Sequence, residues 1–350
     1  MTLAPAPTPV APWGGRPVSM RRRRVLGLLV CVAVLVLFSV ASLAFGSRVV
    51  SWPDVVGGVL NPAPDDIAQA AVHARIPRTV LGLLVGAALG LAGAVMQGLT
   101  RNPLADPGIL GVNAGASLLV VVGIAWFGLS DLNQYIWLAF LGAALAAGLV
   151  YAIGSLGREG ATPLKLALAG AATTAAISSM VSMVLLARND VLESFRFWQV
   201  GSLGRADFTQ IGEVLPFFVV GALLALASAR GLDALALGDD LAVGLGQRTG
   251  SIRLLGAAAA VLLAGSATAI AGPIAFVGLV MPHLARTFTG PTHRWLLPYS
   301  AAFGAALLLG ADVLGRILTR PQDLEVGIMT ALLGAPFFIV IIRRSKVREL

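Results

Sequence analysis

The chain has 350 residues, 57% hydrophobic and 12% charged, with a formal net charge of +8 and a mean hydropathy of +0.87. Soluble domains carry about 25% charged residues, and uncharged runs here repeatedly reach the roughly 20 residues that span a bilayer core. A soluble globular protein is excluded, as is an outer-membrane barrel with its alternating strands of about ten residues; the expected class is an all-α polytopic membrane protein.

Residues 1–24 begin rich in Pro, Ala and Thr and end in Arg21 to Arg24, which reads as a disordered, basic cytoplasmic tail. Uncharged runs then occupy 25–47, 79–100, 107–130, 132–157, 166–187, 214–229, 254–285, 295–311 and 326–342. The first is longer than the roughly 7–15-residue core of a signal peptide, so it is expected to remain as an uncleaved span. It holds the single cysteine, Cys31, which excludes an internal disulfide. The seventh run has 32 residues with Gly272-Pro273 inside it, where proline interrupts a helix. A basic tail, 343–350, closes the chain with Arg343, Arg344, Lys346 and Arg348.

Cytoplasmic segments carry the excess of Lys and Arg. Basic residues at both ends therefore put both termini inside and make the number of spans even. Dividing the seventh run at Gly272-Pro273 gives ten spans, with one transmembrane domain over 25–342. The inside segments then hold 17 Lys/Arg and 6 Asp/Glu, and the outside segments 8 and 11. Leaving the run whole would move Arg286, Arg294 and the C-terminal cluster outside, against that bias. Gly82, Gly86 and Gly90 recur at every fourth position, a face on which helices approach closely.

Several polar segments interrupt the spans. Arg75-Ile-Pro-Arg78 and Arg316 fall on the outer side, against the charge bias. Two readings stand there: arginine forks for an extracytoplasmic partner's carboxylates, or side chains reaching up to the interface. Arg101 to Gly108 and Thr162-Pro163 form stiff inner turns. Their Asn102, Pro103, Leu104, Thr162 and Pro163 are candidates for a cytoplasmic gate or are ordinary turns. Ala234 to Gly246 is a small polar island in an inner loop, where a short amphipathic element either docks into a groove on a cytosolic partner or lies on the membrane. Asp312 is an acid within a span, one helical turn from Arg316. It suggests either a structural ion pair or the proton coupling of an ion-driven secondary transporter. The histidines have no metal-ligand spacing. A phosphate-binding loop of the form G-x-x-x-x-G-K-[ST] needs a lysine; the chain has two, Lys165 and Lys346, neither in that setting. Any ATP hydrolysis that drives this protein is expected on another polypeptide.

Taken in order, RIPR (Arg75 to Arg78), GAALGLAGAVMQGLTRNPLADPGILGVNAGA (Gly86 to Ala116), FRFWQVGSLG (Phe195 to Gly204), LALGDDLAVGLG (Leu235 to Gly246), AGPIAFVGLVMPHLAR (Ala271 to Arg286) and GAPFF (Gly334 to Phe338) resemble the permease subunits of type II ABC importers for ferric siderophores, haem and cobalamin. The resemblance covers Val25 to Ile342. It implies a ten-helix subunit of the bacterial plasma membrane that pairs with a second permease, identical or paralogous. It also implies two cytosolic ATPase subunits that hold the ATP and magnesium, and an extracytoplasmic binding protein that delivers substrate. No metal, cofactor or nucleic acid is implied for this chain itself, and no catalytic residue. The family's ATPase-coupling element matches a loop over 232–253, with Leu235, Leu237, Gly238, Asp239, Asp240, Leu241, Ala242, Leu245 and Gly246. Its arginines that grip the binding protein match Arg75, Arg78 and Arg316, and its gate turns match the two inner turns named above. A short outer helix matches Phe195 to Leu203, whose Phe197 and Trp198 face the substrate path or anchor at the interface. FRFWQVGSLG resembles the siderophore members most, which favours a ferric siderophore over haem or cobalamin.

Overall fold

A computed structural model describes residues 20–61, 66–157, 162–204 and 207–345, which form helices and no strand. α1 (Met20–Ala44) is followed by the short α2 (Trp52–Leu60) and α3 (Ile67–His73), and then by the long α4 (Arg75–Thr100). A 3-10 turn at Pro107–Leu110 leads to α5 (Val112–Phe127), α6 (Leu132–Gly154) and α7 (Pro163–Ala187). The second half comprises α8 (Asn189–Gln199), α9 (Phe208–Leu235), α10 (Asp239–Gly244), α11 (Thr249–Ala271), α12 (Val277–Thr289), α13 (His293–Leu318) and α14 (Val326–Ser345). Among the described residues, seven helical segments are long and apolar enough to cross a membrane, starting at Arg21, Ile67, Asn133, Pro163, Phe208, Thr249 and His293; Val112–Phe127 and Val326–Val340 are shorter apolar helices.

Some boundaries differ from the sequence reading. Arg21 to Arg24 form the first turn of α1 rather than the end of a tail, and α14 continues through Arg343 to Ser345. Arginine is a good helix former, so a helix begun in an apolar run extends into it without penalty. Residues 1–19 and 346–350 of the two expected tails lie outside the described residues. The short helix expected at Phe195 to Leu203 spans Asn189–Gln199 instead, and Leu232 to Leu235 of the expected loop belong to α9.

α4 is the axis of the bundle: its most apolar window is 78% buried, against 11% for α1. The glycine repeat makes this possible. A methyl group added at Gly86 would meet the Gly304 carbonyl and the Ala305 backbone of α13, one at Gly90 the Ser300 carbonyl, and one at Gly93 the backbone of Gly278 in α12. Backbones this close leave no room for side chains, so the small-residue stripe is a packing seam.

The seventh run breaks at its glycine and proline. α11 ends at Ala271, Gly272 takes φ 74°, and α12 begins at Val277 after Phe276, a non-glycine residue at φ 68°. Such a conformation costs a side-chain-bearing residue about 1–2 kcal/mol; Phe276 is held there against Gly334 of α14. The freed backbone finds partners. The Ser202 amide donates to the Ala271 carbonyl at 2.7 Å, and the Gly327 amide to the Gly201 carbonyl at 3.1 Å. The end of α8, the α11–α12 break and the start of α14 therefore meet at one point.

Candidate functional site

Charged side chains gather at the two ends of α4. At its start, Arg78 spans two acids: Nε lies 3.0 Å and Nη2 2.7 Å from Oδ1 of Asp312, and Nη1 lies 2.7 Å from Asp323. Arg316 Nη2 is 2.8 Å from the other Asp312 oxygen and 2.9 Å from the Ser42 hydroxyl, while Nη1 donates to the Ser42 carbonyl at 3.0 Å. Asp312 is 0% and Arg316 2% exposed. Two cations thus face two anions. Arg75 is also buried and is held differently, donating to the carbonyls of Leu43 (2.8 Å), Ala44 (3.1 Å) and Arg48 (3.0 Å). Leu43 and Ala44 close α1, the negative end of a helix dipole, which suits a cation.

This arrangement corrects the expectation of three outward-facing arginine forks. Arg75 and Arg316 spend their donors inside the chain, and only Arg78 keeps an exposed edge, with 13% of its side chain accessible. An unpaired guanidinium at this depth would cost several kcal/mol, so it turns to the nearest acceptors. Interfacial snorkelling is not what these side chains do either. Asp312 and Arg316 form the ion pair that their spacing allows, and Arg78 completes it.

The opposite end of α4 meets α10. Gly238 (φ 111°) and Gly246 (φ 79°) bracket this short helix in conformations that glycine supplies without strain. Ala242 on it and Leu235 at the end of α9 are fully buried, whereas Leu237, Leu241, Val243 and Leu245 are each more than half exposed. Asp240 and Gly246 are exposed as well. Asp239, partly exposed, joins three elements: it pairs with Arg101 at the end of α4 and, at 2.8 Å, with Arg253 of α11. The expected coupling residues therefore divide into an exposed apolar face (Leu237, Leu241, Leu245, with Val243 added) and an inner anchor (Leu235, Asp239, Ala242). Nearby, the ring Nδ1 and the backbone amide of His293 approach Asp233 Oδ1 at 2.7 and 2.8 Å, tying the end of α9 to the start of α13.

The two inner turns are exposed or half-exposed. Asn102 Oδ1 accepts from the Leu104 amide at 2.9 Å, an Asx turn. Thr162 caps α7, accepting from the Lys165 amide, with Pro163 at its first position. Pro163, with Thr100 at the end of α4 and Arg253 of α11, lines one narrow cleft, which Asn102 to Leu104 do not reach. Between them and the core, Asp106 accepts from the Gly108 amide at 2.8 Å and packs against Gly278; burial raises its carboxyl pKa above the ordinary value. On α8, Val191, Phe195 and Trp198 share the buried face, at the i, i+4, i+7 spacing of one helix side. Trp198 is 3% exposed and packs on Phe195, so of the expected aromatic pair only Phe197 is open to a path; the Arg196 guanidinium lies 4.9 Å from its ring. At the start of α8 a two-pronged hydrogen bond from Arg188 holds the Asp190 carboxyl at about 2. Among the described residues, no cluster of His, Cys, Asp or Glu is placed to hold a metal.

Sequence reasoning did not find Asp323, Ser42, Arg101 or Arg253 as partners. The pairs they make reach 138 to 274 residues along the chain, apart from the fourteen-residue step of Arg253 to Asp239. Only the excess of acids in the outer segments hinted that the arginines there had internal counterparts.

The chain matches the FecCD transport family over residues 34–344. It is 41% identical over 319 residues to the probable siderophore transport system permease protein YfiZ of Bacillus subtilis, covering 91% of this chain and 96% of that one. It is 44% identical over 322 residues to the ferric enterobactin transport system permease protein FepD of Escherichia coli, covering 92% and 95%. Other relatives are named for hydroxamate, citrate and hemin systems. Among solved structures, one titled an inward-facing conformation of a putative metal-chelate type ABC transporter superposes with a TM-score of 0.80 at 29% identity, over 91% of this chain and 99% of that one.

Proposed function

The chain belongs to the FecCD transport family of membrane permeases, and from that premise we propose that it conducts a ferric siderophore across a bacterial plasma membrane, driven by ATP hydrolysed on partner subunits. Ten spans, with both termini cytoplasmic, put α10 on the side of the ATPases and the arginine cluster on the side of the binding protein. A second permease copy, identical or paralogous, completes the path. Siderophore is the favoured cargo because YfiZ and FepD, at 41% and 44% identity, carry siderophore names; haem and cobalamin remain the alternative cargoes for the test below.

The observation that carries the coupling role is the two-sidedness of α10. Leu241 and Val243 on it, with Leu237 and Leu245 flanking it, offer an apolar face to a groove on a cytosolic ATPase, and Asp239 links that same helix to α4 and α11. A displacement imposed on α10 by nucleotide binding then reaches the axial helix of the bundle directly. Nucleotide and cargo bias the bundle between outward-open and inward-open states by binding one better than the other. The inner turns at Asn102 to Leu104 and Thr162-Pro163 close the cytoplasmic end in this cycle, and Phe197 borders the path. Arg75, Arg78 and Arg316 serve as the frame of the surface that receives the binding protein, with Arg78 at its exposed edge. The geometry gives no support to an ion-driven transporter working through Asp312, since both of its oxygens are held by arginines.

The test is reconstitution of the chain with its ATPase and binding protein in liposomes. Replacing Leu241 by Asp should abolish ATP-dependent uptake of the ferric siderophore while the bundle stays folded. Undiminished uptake by that variant would remove α10 from the coupling, and uptake of haem or cobalamin in place of the siderophore would reassign the cargo.

A further inference from the structure

α1 and α13 enclose a cleft of about 750 Å³ that the transport reading does not use. It opens where α1 begins and where a turn joins α12 to α13. Its floor is apolar: Val30 and Val34 of α1 face Ala302, Phe303 and Ala306 of α13, and Phe288 stands edge-on to Phe303 at 5.7 Å. Its mouth is cationic. Arg23 and Arg24 line it, and Arg21, Arg24, Arg294 and Trp295 line an adjoining cleft of about 270 Å³. The Arg24 guanidinium, 6.0 Å from the Trp295 ring centre, forms the wall the two spaces share.

The site is built rather than incidental. The Tyr299 hydroxyl donates to the Arg24 carbonyl at 2.7 Å, and the approach is possible because Gly27 has no side chain to meet that hydroxyl. Among the described residues, no carboxylate forms an ion pair with Arg21, Arg23, Arg24 or Arg294. The preceding 19 residues of the sequence contain no Asp or Glu that would neutralise them.

We propose that this paired cleft holds one anionic phospholipid, with its phosphate between Arg23, Arg24 and Arg294 and an acyl chain in the slot between α1 and α13. Arginines at the first turn of an apolar span lie at headgroup level, and basic pockets between spans suit anionic headgroups. The cleft falls within the roughly 300–1,000 Å³ of small-molecule sites. A zwitterionic headgroup brings its own cation and gains less from three arginines. Inorganic phosphate leaves the apolar floor unfilled. The bound lipid fastens α1, the helix least buried in the bundle, to α13.

Native mass spectrometry of the purified full-length chain, titrated with dioleoyl phosphatidylglycerol or dioleoyl phosphatidylcholine, tests this. Retention of phosphatidylglycerol under conditions that strip phosphatidylcholine is expected, and phosphatidylglycerol but not sodium phosphate should raise the wild-type melting temperature. The R23Q/R24Q/R294Q variant should weaken retention by on the order of a hundredfold, at about fivefold per arginine. Ala306→Phe, which fills the slot and keeps the arginines, should remove it too. Equal retention of the two lipids, an equal thermal shift with phosphate, or full retention by either folded variant overturns the proposal. So does binding that appears only when residues 1–19 are deleted, which would assign the cleft to the chain's own N-terminal segment. If the variants fail to fold, the wild-type comparison among the two lipids and phosphate decides.

Discussion

Asp312 has no solvent exposure, and its two oxygens are held by Arg78 and Arg316 together. Removing one member of a buried ion group strands its partners, at a cost of about 3–5 kcal/mol. Asp312→Ala should therefore lower stability by that amount in detergent denaturation, whatever the pH of transport. Normal stability with a selective loss of pH-dependent transport would instead return Asp312 to a proton-coupling role. Asp106 makes the complementary case, because burial raises its pKa in the folded chain. Its contribution to stability is fullest below the ordinary carboxylate pKa and is lost as pH rises through the raised value. Asp106→Asn keeps an oxygen for the Gly108 amide and removes the charge, so it should flatten the dependence of melting temperature on pH above about 4. An unchanged pH profile would show that this carboxylate is solvated. The two acids were legible to different degrees. Asp312 stood out as an acid inside a span, four residues from Arg316, but its second partner lies 234 residues away and no local pattern points to it.

At the scale of elements, the seam between α4 and α13 and the loop helix α10 make opposite demands. The seam tolerates no added volume: a side chain at Gly90 would enter the backbone of Ser300. Overpacking of a tight core costs about 1–3 kcal/mol or more, so Gly90→Leu should lower the melting temperature markedly or prevent folding, and a wild-type melting curve would contradict the seam. At α10 the ion pairs of Asp239 are partly exposed, its side chain being 43% accessible, and such pairs contribute only about 0–1 kcal/mol. Asp239→Ala should thus leave stability nearly unchanged while reducing ATP-dependent uptake several-fold; loss of both together would mean that the residue is structural. Apolar run lengths, the Gly272-Pro273 break and the polarity of the loop around α10 were all readable in the sequence, because each depends on neighbours within a few residues. Which side of α10 faces inward was not. Leu241 and Ala242 are adjacent apolar residues, and only the packing of α10 on its neighbours exposes one and buries the other. Trp198 went the same way: the stripe Val191, Phe195, Trp198 is visible in the sequence, but what it packs on is not.

For the whole molecule, the apolar runs and the split run point to a polytopic helical bundle, and the chain matches the FecCD transport family over residues 34–344. The bundle has a packed axis in α4, a neutralised arginine cluster at one end and an apolar loop helix fastened by Asp239 at the other. The most direct test is uptake of a ferric siderophore into liposomes that carry this chain with or without its ATPase and binding-protein partners. Uptake is expected only with both partners and ATP present, and is expected to be lost in Leu241→Asp. Uptake by the chain alone, under a proton gradient and without ATP, would contradict it.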